Sequence, residues 1–83
     1  MEKRVTKEHL ESIIKNKEFH RLTDVLTVCV LTLRNGFTVT GESACVDPNN
    51  YNQEIGESIA YENAFDKLWM LEGYVLKNKL AGF

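Results

Sequence analysis

With 83 residues, the chain has room for one domain and a small core. Its 43% hydrophobic and 27% charged residues exclude a disordered chain, and its net charge of -2 argues against a generic binder of the nucleic-acid backbone. No apolar run approaches the roughly 18 residues of a membrane-spanning helix.

The start, MEKRVTKEHLES, is charged and lacks the apolar stretch of a signal peptide. Together with a count of two cysteines, this points to free thiols in a reducing cytosol. Residues 1–4 read as a loose end. Thr6 is placed as an N-cap, with Val5 and Leu10 as the two halves of a hydrophobic staple. Leu10, Ile13, Ile14 and the stem of Lys17 recur at helical spacing, which predicts a short amphipathic helix over residues 7–17. EFHR then reads as a connection.

The run LTDVLTVCVLTLR is rich in β-branched residues and predicts a strand. Asn35–Gly36 follows, the pair that suits a two-residue type I′ turn, and FTVTGESACV returns as the second strand of a hairpin. That turn would pair Arg34 with Phe37, Thr32 with Val39 and Val28 with Ser43. One face would then carry Leu26, Val28, Val30, Phe37 and Val39, and the other Val25, Leu31, Leu33, Thr38, Thr40 and Glu42. Both faces are partly apolar, so both are expected to be covered at least in part. Gly41 is a candidate bulge.

DPNNYN makes the next connection, with Asn52 as an N-cap. A helix is predicted from Gln53 to about Lys79, roughly 40 Å long. Ile55, Ile59, Phe65, Trp69, Leu76 and Leu80 share one side of it, and Tyr61, Ala64, Leu68, Leu71 and Val75 nearly the opposite side. A helix that is apolar almost all round needs cover on more than one side. The expected architecture is α+β: a short N-terminal helix, an antiparallel hairpin and a long C-terminal helix. It is expected to assemble as a homodimer or larger ring through Leu68, Trp69, Leu71 and Val75.

Candidate chemistry is thin. Asp47 opens no calcium loop, because Tyr51, Asn52 and Ser58 fall where such a loop needs an acidic or amide ligand, a glycine and a glutamate. His9, His20, Cys29 and Cys45 are isolated from one another, so no metal or other cofactor is expected. Cys45 and Ser43 have no signposted base, and Glu54, Glu57, Glu62 and Asp66 suit a solvated helix face. No catalytic residues are therefore assigned. The Asn-rich turn beside a helix N-terminus does offer a kit for an anionic, flat ligand. Arg34, Phe37, Asn49, Tyr51 and Asn52 are the candidate ligand-binding residues, with Arg21 a further cation. The alternative role of Asn49 and Asn52 is that of turn and cap.

The elements NGF (35–37), GES (41–43), VDPNNYN (46–52), EIG (54–56), KLW (67–69) and LEGY (71–74) carry a resemblance. Over residues 33–80 the chain resembles a family of small tailed-phage proteins, the gene-product-forty-nine/gene-sixty-six family. The resemblance implies a phage accessory protein acting in the host bacterial cytoplasm, and it transfers no functional residues. In that setting a non-enzymatic oligomer suits the sequestering of a nucleotide-type immune signal, such as a cyclic oligonucleotide or an ADP-ribose derivative. The alternative is direct blocking of a host defence protein, through an exposed patch near Trp69 and Tyr74.

Overall fold

A computed structural model describes residues 4–83. The elements are α1 (Lys7–Ser12), β1 (Ile14–Arg21), β2 (Leu26–Leu33), β3 (Thr38–Ala44), a 3₁₀ turn (Pro48–Asn50) and α2 (Gln53–Leu80). The fold is α+β: a short helix, a three-stranded antiparallel sheet in the order β1-β2-β3, and a long C-terminal helix across one sheet face. Of the loose end expected over residues 1–4, residues 1–3 lie outside the described residues, and Arg4 is exposed.

The N-terminal helix is one turn and a half, not three. Thr6 caps it as expected, its hydroxyl accepting from the His9 amide at 3.2 Å, and Leu10 is fully buried. Residues 14–21, read as helix end and connection, instead form β1 along the edge of β2. Lys17 belongs to both patterns. In the strand it pairs with Leu31, and its ammonium lies 5.1 Å from the centre of the Tyr61 ring. Charged residues such as Lys15, Glu18 and Arg21 suit an edge strand, where they discourage pairing with another chain. They also hide the strand from a reading of apolar periodicity.

The β2–β3 register is one residue off the expected one. Leu31 faces Val39, Cys29 faces Gly41 and Thr27 faces Ser43. Gly36 has φ +89, and no non-glycine residue among those described has positive φ, so Asn35 does not adopt the conformation that a type I′ turn requires. The Gly36 amide donates to Leu33 and the Leu33 amide to Phe37, which closes a three-residue loop over Arg34, Asn35 and Gly36. The slip of one residue carries the β3 side chains to the other face relative to β2, so Val39 joins Leu31 and Leu33 instead of Leu26, Val28 and Val30. The inward set is therefore Thr27, Cys29, Leu31, Leu33 and Val39. Leu26, Val28 and Val30, half-buried, turn to the other face, which neither described helix covers, so only one of the two faces expected to be covered has a helix on it.

Gly41 is no bulge; it pairs in register with Cys29. Its role is close approach. A Cβ built there would sit 2.2 Å from the Ala64 nitrogen and 2.3 Å from the Ala60 carbonyl oxygen. Small residues on both sides bring α2 onto the sheet, where Ala60, Ala64 and Leu68 are wholly buried. Leu68, expected at an interface between chains, is core within one chain. Leu71 packs against the same core, while Trp69 and Val75 are 41% and 42% exposed.

Candidate functional site

The two ends of the sheet divide the expected ligand residues. At one end, Asp47 accepts from the Asn49 amide at 3.0 Å, and the side chain of Asn52 caps α2 by accepting from the Ile55 amide at 3.1 Å. The Tyr51 hydroxyl meets the Thr27 hydroxyl at 3.0 Å, and the Arg21 guanidinium stacks 3.8 Å from the centre of the Tyr51 ring. Arg21 also donates to the Asp24 carbonyl at 2.7 Å. DPNNYN thus serves as turn and cap, and its aromatic ring already has a cation on it. The hollow beside it, lined by Val25, Cys45, Asn50, Tyr51, Asn52 and Ile55 among others, is only about 130 Å³.

Arg34 and Phe37 stand at the other end, on the hairpin loop. The six residue steps from Thr27 to Leu33 separate the two ends by about 20 Å of strand. Within one chain, the five expected residues therefore form no single site. Arg21, next to Tyr51, and not Arg34, is the cation at the Asn-rich end.

The hairpin end carries a roomier feature. A cleft of about 370 Å³ lies between β3 and α2, lined by Phe37, Thr38, Val39, Thr40, Lys67, Met70 and Leu71. Small-molecule sites usually measure about 300–1,000 Å³. Phe37 is 55% exposed. The amide-to-carbonyl bonds from Leu33 to Phe37 and from Cys45 to Val25 fix which residues of β3 bond to β2. These are the odd-numbered ones, so Thr38, Thr40 and Glu42 turn their backbone groups to the free edge. Asn63 on α2 covers that edge at one point, donating to the Glu42 carbonyl at 2.7 Å. Beside Thr38 and Thr40 the edge faces the cleft, with Lys67 on the opposite wall.

Sequence reasoning picked out Phe37 here but missed Lys67, Thr38 and Thr40. Only the packing of α2 along β3 brings Lys67 to Phe37, 30 positions apart in the chain. A third groove, of about 400 Å³, runs between α1 and α2 beside Val5, His9, Glu72, Val75 and Lys79. It carries no Phe, Tyr or Trp, and across it His9 Nε2 meets Glu72 Oε1 at 2.6 Å.

Among the described residues, no three His, Cys, Asp or Glu side chains converge as a metal site. Cys29 and Cys45 are both free thiols. Burial pushes the Cys29 thiol up from its ordinary value, with nearby Lys17 opposing and Glu57 adding to the effect. No helix among the described residues is long and apolar enough to cross a membrane.

Compared with known families, residues 5–80 match the model of the phage protein (N4 Gp49/phage Sf6 gene 66) family. The chain belongs to this family. The match takes in α1 and the whole sheet as well as the stretch from the hairpin to α2. No curated protein and no solved structure matches the chain.

Proposed function

We propose that this phage-family protein is a non-catalytic antagonist of bacterial immunity. It acts inside the host cell by binding and sequestering a nucleotide-type signal, a cyclic oligonucleotide or an ADP-ribose derivative. Membership of the family supports the phage setting. The observation that supports the ligand class is the β3–α2 cleft, which sets an exposed ring, a free strand edge and an ammonium around one space.

Each part matches a part of such a ligand. The Phe37 face offers stacking to a base, which binds aromatic rings with little dependence on sequence. The edge amide and carbonyl groups at Thr38 and Thr40 offer hydrogen bonds to the donors and acceptors on a base edge. Lys67 supplies a point charge for phosphate. Sequestration asks only for affinity, so no acid, base or nucleophile is needed.

Filtration of the purified protein with a panel of cyclic nucleotides and cyclic ADP-ribose isomers tests this. Depletion of one ligand, and its intact release on heating, is the expected result. Phe37→Ala and Lys67→Ala should each weaken binding by tenfold or more, and Asn49→Ala should leave it unchanged. Release of an altered product would replace the sponge with an enzyme. Depletion of nothing would sink the nucleotide reading and leave direct blocking of a host defence protein in its place.

A further inference from the structure

We infer that α2 pairs antiparallel with α2 of a second copy, through the helix face turned away from the sheet. The inference does not rest on the ligand proposed above. At 100° per residue the outward row of the C-terminal half runs Glu62, Asp66, Trp69, Gly73, Lys77 and Leu80, with Met70 and Tyr74 on one flank. The sheet-facing row of Gly56, Ala60, Ala64, Leu68 and Leu71 lies opposite. The outward row is open: Met70 is 81% exposed, Tyr74 70%, Leu80 46% and Trp69 41%.

Three observations select a second copy, and an antiparallel one. First, the charges are arranged in self-complementary order. Glu62 and Asp66 lead the row and Lys77 closes it, and none of the three takes part in an ion pair seen among the described residues. A parallel pair would set Asp66 on Asp66 and Lys77 on Lys77, whereas a two-fold antiparallel pair sets Asp66 beside the partner's Lys77, twice. Second, the row contains a notch. A Cβ built on Gly73 would meet nothing within 4 Å, so the space over that backbone is open. In the register that joins Asp66 to Lys77, centred midway between residues 71 and 72, Trp69 falls within one residue of the notch of the other copy. Third, the sheet lies on the far side of α2 and does not obstruct the approach. The assembly is then layered sheet, helix, helix, sheet, with the two helices in contact over about 27 Å between Glu62 and Leu80.

Light scattering and sedimentation over a dilution series from micromolar to millimolar decide this. The full chain should reach twice its 9.5 kDa mass at the upper concentrations. Gly73→Leu fills the notch from an open position, so it should keep the wild-type circular dichroism and remain at 9.5 kDa. Lys77→Glu should weaken association by roughly tenfold, since it turns two symmetric pairs into like charges. The swap Asp66→Lys with Lys77→Glu should restore it. A wild-type monomer throughout the series, or a dimer untouched by Gly73→Leu, overturns the inference. In the first case the outward row passes to a different protein partner. Because Lys67 and Phe37 lie outside the outward row, loss of the dimer and loss of nucleotide depletion are read separately.

Discussion

The two halves of α2 are built on opposite plans. From Gln53 to Leu68 the inward positions are mostly small, and the helix lies directly on β2 and β3. From Trp69 onward large apolar side chains recur, and most of them, Trp69, Met70, Tyr74, Val75 and Leu80, are exposed. The reason is length. The 28 residues of α2 span about 42 Å, whereas the 8 residues of β2 span about 26 Å. α2 starts with Gly56 over Thr27 and reaches the hairpin loop near Leu71, so its last turns run past the sheet. There α1 and the residues just before it meet α2, through the His9–Glu72 contact and the groove lined by Val5, Val75 and Leu76. An apolar helix residue is thus not core by composition. It is core where the sheet reaches.

The largest test of this contrast is Leu68 against Tyr74. Leu68→Ala should cost about 2–5 kcal/mol of stability, as expected for a wholly buried leucine, and Leu68→Glu should leave the chain unfolded. Tyr74→Ala in dilute solution should shift stability by no more than about 0.5 kcal/mol. Denaturant midpoints measured side by side would collapse the distinction if the two alanine variants cost the same.

Two glycines sharpen it. Gly41→Ala forces a methyl group into the backbone of α2 and should cost about 1–3 kcal/mol or more. Gly73→Ala, facing open space, should stabilise the monomer by up to about 1 kcal/mol through helix propensity. Thermal melts at low concentration read both signs.

Smaller effects belong to the start of α2. Asn52→Ala removes the cap and should cost about 1 kcal/mol. Tyr51→Phe takes away the partner of the Thr27 hydroxyl, which is only 2% exposed, and should cost about 1–3 kcal/mol. If neither variant moves the urea midpoint, the cap and the hydroxyl pair carry no stability and the loop is free for another task.

The smallest effect is chemical. Alkylation in the native state should label Cys45 and spare the fully buried Cys29. Burial favours the neutral thiol, so Cys29 contributes stability that is whole below its ordinary value and is lost as the pH rises through the raised one. Rapid labelling of Cys29 at neutral pH would show that the sheet and α2 part readily.

Local chemistry was legible in the sequence wherever one short stretch was sufficient. Thr6 and Asn52 act as the caps their side chains and positions suggested, and the strand–loop–strand unit around Asn35–Gly36 stands where it was expected. α2 ends one residue past its expected limit. What failed was everything that depends on a distant partner. β1 has almost no apolar pattern, and only the unpaired edge of β2 makes residues 14–21 a strand. The hairpin register turned on the backbone of Asn35, and one residue of slip moved the β3 side chains to the face opposite the expected one, bringing Val39 beside Leu31.

The candidate site divides the same way. Asn49, Tyr51 and Asn52 were chosen for their chemistry, yet Arg21 and Thr27 take up the Tyr51 ring and hydroxyl, and the Ile55 amide takes up Asn52. Sequence by itself determined the α+β class, the caps and the extent of the long helix, because propensity and capping act within a few residues of chain. Tertiary structure alone decided which helix face is core, which strand edge is free and that Lys67 stands across from Phe37. Those are set by where α2 crosses the sheet, and that crossing is fixed at Gly41, Ala60 and Ala64, where the backbone of α2 comes too close to β3 for a Cβ on Gly41.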